Sequence, residues 1–415
     1  MKKVIITAIG GLALTALALS GCSGSSSGGS GGDNGRGPIT FVQGKDNSNI
    51  IATLAAQWNA KHPNEKVTVK QQSDKADQQH DDLVQHFQAK STDYDVVTTD
   101  VIWTAEFAAK GWLTPLEGSL KLDTSSLLPA TVKTATYQGK LYGGPYASDG
   151  GILYYRSDLL KTPPKTWDEL MADCSIAKKA HIKCYAGQFA QYEGLTVNFA
   201  ESVNGAGGEI VKSDGKTPNL ETPQALAGLN QLVSAFKDGN IPAENKTFQE
   251  EQGRQAFEAG QYLFMRNWPY AYSLAKTDST SKVKNTVAIA PLVTNSSLGG
   301  HNLAISAYSK HKATALDFIK FMESPEVQKE IVLKASLSPV IASLYTDPTL
   351  VKAAPYLPVL KESILKAVPR PVTPFYPAVT QAIQENAFQA ISGSVTPDQA
   401  LKNMQAAITS AGSGN

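Results

Sequence analysis

GKLYGGPYASDGGILYYRSDLL, residues 139–160, is the stretch on which the fold turns. A short polar turn at Gln138–Lys140 leads into a strand punctuated by Gly and Pro. Asp149, Gly150 and Gly151 follow, then the apolar run Ile152–Tyr155. Strand propensity on both sides of a glycine-flanked carboxylate marks chain that leaves one sheet and enters another. The stretch predicts a crossover between two lobes, with Asp149 a ligand-binding acid in the cleft they form.

Upstream, the pattern is that of alternating strands and helices. Ile39–Val42 reads as a strand, and Gln43–Asn49 as a polar loop. A helix follows with Ile50, Ile51, Leu54, Ala55 and Trp58 on one face, capped by Ser48 or Asn49. Lys66–Lys70 alternates as a strand, Asp77–Ala89 is helical, Tyr94–Thr98 is a third strand, and Asp100 caps a helix from Trp103 to Lys110. This order belongs to a parallel sheet with helices on its faces, where ligands sit beyond the carboxyl ends of the strands. The loops at Gly44–Asn49 and Thr99–Trp103 leave such ends. Asp46 and Asp100 are therefore candidates for ligand contact or, equally, simple helix caps.

Downstream the same grammar returns. Thr166 begins a helix in capping-box style, Tyr192–Gly194 opens another, and Thr222-Pro223 a third. Tyr262–Met265 is a strand running into Arg266, Asn267, Trp268, Pro269 and Tyr270. Asn295–Asn302 reads as a glycine-bearing connection before a strand at Leu303–Ser306. Beyond Pro339 the chain reads as loop-like and rich in proline, up to the final helices. The glycine-rich Asn204–Gly208 lacks the setting of a nucleotide-binding loop. G-x-S-x-G matches at Gly24–Gly28 and Gly28–Gly32 lie in a Gly/Ser tract and carry no catalytic meaning.

The 415 residues are enough for two or three domains. Composition is 42% hydrophobic, 18% charged and 8% aromatic, which allows ample cores. A formal net charge of +1 gives no electrostatic reason to expect nucleic acid, and a neutral ligand suits the chain. Met1–Lys3 and the apolar Val4–Leu19 have the layout of a secretory signal, too short for a comfortable membrane span. Cys22 after Leu19-Ser20-Gly21 looks like a bacterial lipobox, with a plain signal peptide as the alternative. Ser23–Gly37 is a flexible tether. Cys174 and Cys184 in an exported chain read as a disulfide, and no histidine is placed to complete a zinc set.

Seven segments, in order along the chain, carry a resemblance. They are Tyr94–Val97 with Asp100 and Trp103–Leu113; Tyr142–Tyr146 with Gly151–Leu160; Gln191–Leu195; Phe264–Tyr270; Gly299-Gly300; Ala315–Met322; and Arg370–Tyr376. Together they resemble family 1 of the extracellular solute-binding proteins of ABC sugar importers, most of all the trehalose/maltose-binding lipoproteins. The resemblance implies an α/β, two-lobed, type II periplasmic-binding-protein-like fold, each lobe a mainly parallel sheet flanked by helices. It places a signal peptide at 1–21, a tether at 22–37, one lobe at 38–147 and 299–342, and the other at 148–298 and 343–415. It implies a lipid-anchored monomer on the outer face of the cytoplasmic membrane, which captures a neutral oligosaccharide and delivers it to permease subunits, without catalysis, cofactor or metal.

The sugar contacts so implied, with those read from the residues, are Asp46, Asn47, Asn49, Asp100, Asp149, Tyr192, Glu193, Trp268, Tyr270, Gly300, His301, Arg370 and Tyr376. His301 stands where relatives often have an aromatic residue. Carboxylates and an arginine fork suit hydroxyl pairs, and Trp268, Tyr270 and Tyr376 suit the flat faces of pyranose rings. Two other readings compete: an anchored glycoside hydrolase with Asp100 and Asp149 as paired carboxylates, and a lipoprotein that binds another protein. In a hydrolase, one acid would lie in an apolar pocket that raises its pKa.

Overall fold

The computed structural model describes residues 32–414. The signal segment and Cys22 lie outside the described residues. Among the described residues are twelve strands: β1 (Ile39–Gln43), β2 (Val67–Gln71), β3 (Val96–Asp100), β4 (Thr136–Tyr137), β5 (Lys140–Leu141), β6 (Gly143–Gly150), β7 (Ile152–Arg156), β8 (Lys183–Ala186), β9 (Tyr262–Asn267), β10 (Val287–Pro291), β11 (Ser297–Ile305) and β12 (Val368–Pro369). The first sheet runs β12-β11-β3-β1-β2, with β6 added on β11; the second runs β10-β7-β9-β8. The predicted crossover lies between β6 and β7. Gly150 still pairs with Leu298 in the first sheet, whereas Ile152 already pairs with Asn267 in the second.

Each sheet is covered on both faces, as alternation along its strands shows. On β7, Ile152 and Tyr154 enter one apolar cluster and Leu153 and Tyr155 the other. On β1, Ile39 and Phe41 pack against Leu316 and Phe318, while Val42 faces Leu83, Phe87 and Phe107. Two lobes with separate cores result.

Three sequence expectations need correction. The sheets are mixed rather than mainly parallel: β7 is antiparallel to both β9 and β10, and β11 is antiparallel to β3 and β6. Asn295–Asn302 is not a connection, because β11 begins at Ser297 and carries the glycine pair inside the strand, paired with Asp149 and Ser148 of β6. The segment after Pro339 is helical, with Ala342–Thr346, Pro348–Ala353 and Leu357–Leu365 packed against the second sheet. Prolines at the first turns of the last two had masked them, since Pro is tolerated there.

Capping follows the sequence more closely. Thr166, Thr222, Ser324 and Thr396 each accept a backbone N–H of the helix they precede. Cys174, on the helix Trp167–Lys179, is disulfide-bonded to Cys184 of β8, with Cα atoms 5.0 Å apart. Among the described residues no helix is long and apolar enough to cross a membrane.

Candidate functional site

A cavity of about 270 Å³ opens between the two lobes, near the lower end of the size range of small-molecule sites. Its wall contains Asp46, Asn47, Asp100, Asp149, Tyr192, Glu193, Trp268, Tyr270, Gly300, His301 and Arg370. Two expected contacts are elsewhere. Asn49 is exposed in a left-handed conformation (φ 59°) at the start of the helix Ile50–Lys61 and makes no side-chain cap. Tyr376 is buried behind the wall, where its hydroxyl donates to Glu193 Oε1 at 2.6 Å. It braces a cavity acid and offers no ring face to the cavity.

Asp46 takes the capping role expected of Ser48 or Asn49. Its Oδ1 accepts from the Ser48 amide (2.9 Å) and hydroxyl (2.6 Å), and its Oδ2 from the Ile51 amide (2.8 Å). Capping and cavity lining are thus combined in one residue. Asp100, at the end of β3, accepts from Ile102 N at 3.2 Å and from Arg370 Nη2 at 3.0 Å.

Arg370 follows β12 and is 3% exposed; its Nη1 donates to Glu193 at the start of the helix Glu193–Gly205. The guanidinium therefore ties a carboxylate at the end of β3 to one in the other lobe. Burial pushes the Glu193 carboxyl above its ordinary range, against the pull of Arg370 and the hydroxyls of Thr380 and Tyr376.

Asp149 sits on β6 opposite Gly299 of β11 and is 8% exposed. One oxygen accepts from Ser338 Oγ at 3.1 Å. Burial raises this carboxyl too, with His301 and Ser338 pulling the other way. Trp268 packs on the Arg266 guanidinium, 3.9 Å from ring centre to Cζ, and Arg266 is paired with Glu201. The glycine pair makes this arrangement possible. A Cβ at Gly299 would lie 2.9 Å from the Trp268 ring, and one at Gly300 (φ 112°) only 2.1 Å from the Ala147 carbonyl oxygen.

The cavity also holds residues that sequence reasoning missed: Tyr146, Glu250, Glu251, Gln79 and Trp103 among them. Glu250 and Glu251 open the helix Glu250–Glu258. The Gln249 capping box, with Gln252 at the third position, was the available signal. Tyr192 donates to Glu250 Oε2 and Tyr270 to Glu251 Oε1, each at 2.8 Å. Tyr146 falls where the β6–β11 register shifts, as the extra residue of a bulge. Bulges re-aim a side chain, which simple alternation from Asp149 could not reveal.

The arrangement offers fixed acceptors, an arginine fork and aromatic surfaces around an enclosed space, a set suited to holding a polyhydroxylated molecule. Residues 44–329 match the family model of the bacterial extracellular solute-binding proteins, and the chain belongs to that family. A probable ABC transporter-binding protein of Deinococcus radiodurans is 33% identical over 343 residues, 77% of this chain and 80% of that one. Among solved structures, maltose-bound MalE3 of T. maritima is similar at a TM-score of 0.85 and 32% identity, covering 89% of this chain and 98% of that one. The GacH receptor of Streptomyces glaucescens, solved unliganded and with acarbose, gives 0.80 and 26%, covering 91% and 98%. A tagatose-bound solute-binding protein of Thermotoga lettingae, at 0.83 and 23%, shares the fold over 91% of this chain.

Proposed function

We propose that the chain is the sugar-capturing lipoprotein of an ABC importer. It holds a glucose-containing disaccharide, such as trehalose or maltose, between its lobes and presents it to permease subunits. The observation that carries this reading is the cavity itself, where Asp149, Trp268 and Arg370 converge from three separated segments. The similarity to a maltose-bound MalE3 supports the disaccharide class. The lipobox at Cys22 supports a lipid anchor on the outer face of the cytoplasmic membrane, with the protein acting there as a monomer.

One observation favours the hydrolase reading: Asp149 is buried and its carboxyl raised, as a general acid requires. Against it, Asp100 is tied to Arg370, and the relatives are binding proteins. Calorimetric titration with trehalose, maltose, sucrose and maltotriose tests the receptor reading, and binding of at least one of them is expected. No binding to any would remove the glucoside assignment. Incubation with labelled trehalose and maltose separates receptor from enzyme, because release of product would defeat the receptor reading.

A further inference from the structure

The cavity wall carries more acid than base. Asp46, Asp74, Asp149 and Glu250 all line it, and among the described residues none forms an ion pair with a Lys, Arg or His nitrogen. Arg370, the cavity's guanidinium, is already shared between Glu193 and Asp100, and Glu251 is taken by Arg254. Two of the free acids lie beside the Trp268 ring. Asp149 is its neighbour across Gly299, and the Arg266 guanidinium stacked on the ring is a charge that bears on both Asp149 and Glu250 without pairing with either. Tyr192 and Tyr270 hang from Glu250 and Glu251 and complete an aromatic wall.

Tyr146 makes an independent observation. It is the bulged residue of β6, 4% exposed and part of the cavity lining, and its hydroxyl has no hydrogen-bond partner. The Gln328 side-chain amide donates to the Tyr146 carbonyl at 3.1 Å, so the bulge is braced from the helix Pro325–Ala335. Asp46 and Asp149 are the charges that bear on the hydroxyl. Leaving such a group unpaired costs about 1–3 kcal/mol, so a ligand atom belongs there.

We propose that the cavity selects a sugar bearing an amino group, held as an ammonium by Asp149 and Glu250 beside the Trp268 ring, with the Tyr146 hydroxyl bonding the same end of the ligand. This rests on the sugar-receptor reading and narrows it by charge. An ammonium donates three hydrogen bonds and accepts none, the complement of carboxylates that make no direct ion pair. Charge-assisted bonds are roughly twice as strong as neutral ones, and aromatic faces attract the same cation. Burial raises both carboxyls against the pull of charges already near them, His301 and Arg266 for Asp149 and Arg266 for Glu250, and a bound ammonium would add to that pull.

The test is calorimetry on the full chain at neutral pH with trehalose, maltose, their mono-amino-deoxy derivatives, and the N-acetyl forms of those amines. At least one amine should bind about tenfold tighter than both its parent sugar and its N-acetyl form. Glu250→Gln and Asp149→Asn should each pull that amine-to-parent ratio toward one, an effect that loss of packing alone would not give. Parent sugars binding as well as every amine would overturn the charge preference and leave the sugar receptor standing. A tenfold preference untouched by either substitution would overturn the assignment to these two acids. No binding by any member of the panel would remove the sugar reading and this one with it.

Discussion

Two buried acids behave differently and make separate predictions. Asp149 has one hydrogen bond from the chain and borders open cavity, so its remaining capacity is for ligand. Asp149→Ala and Trp268→Ala should each weaken sugar binding by more than about 1 kcal/mol, one through lost hydrogen bonds and the other through lost stacking area. Unchanged titrations for both would place the ligand elsewhere. Glu323, by contrast, is enclosed by Ile319 and Leu122 near Gly144, with Oε1 unpartnered. Burial moves its carboxyl from 4.5 up to about 8. A raised acid binds more protons in the folded than in the unfolded state, so stability falls as pH rises through that interval. The penalty is absent below about pH 4.5 and complete above about pH 8, where it reaches on the order of 5 kcal/mol. Glu323→Gln should flatten this decline and melt higher than the parent at pH 9. Parallel melting profiles for the two proteins across pH 4–9 would show that Glu323 is not the source.

At the scale of elements, the β6–β11 pair is the connection that matters. It runs antiparallel from Gly143 to Gly150, joins the first sheet, and brings Asp149 and His301 to the cavity. Gly150 and Gly151, which flank the acid, do not face ligand. A Cβ at Gly150 would meet Ser363 Oγ at 2.5 Å, and one at Gly151 would meet Arg266 and Glu201 within 3 Å. Gly151 makes room for the Arg266–Glu201 pair that backs Trp268, and Gly150 makes room for Ser363. Gly300 is the tighter constraint, because both its positive φ and the Ala147 carbonyl exclude a side chain. Gly300→Ala should cost at least about 2 kcal/mol in denaturant unfolding. A loss under half of that would mean that the strand relaxes without strain. The β6 bulge at Tyr146 belongs to the same pair, so alternation along β6 could not place the tyrosine.

For the whole molecule, Arg370 is the link with the widest reach. It joins Asp100 at the end of the first sheet's β3 to Glu193 at a helix start in the other lobe, and Tyr376 and Thr380 complete the network around Glu193. Breaking a buried pair by removing one partner costs roughly 3–5 kcal/mol, because the remaining charges are left uncompensated. Arg370→Ala should therefore lower the melting temperature. In solution scattering without sugar, it should also give a larger radius of gyration than the parent. A lower melting temperature with an unchanged radius would mean that the pair stabilises the fold without holding the lobes together.

The sequence by itself determined the two-lobed plan, the crossover at Gly139–Leu160, the helix caps at Thr166, Thr222, Ser324 and Thr396, and most of the cavity acids and aromatics. These depend on local signals: periodicity, turn chemistry and capping residues act within a few positions of one another. Only the tertiary structure decided strand polarity, the helices after Pro339, and the removal of Asn49 and Tyr376 from the wall. It alone also brought in Tyr146, Glu250 and Glu251. Each of these depends on what an element meets across the fold: a partner strand, a bulge register, or a buried acid that needs a hydroxyl. Asp149 shows the division most plainly. Its place at a crossing was legible from the glycines beside it, whereas its burial, with no direct ion pair, arises only when two lobes close around it.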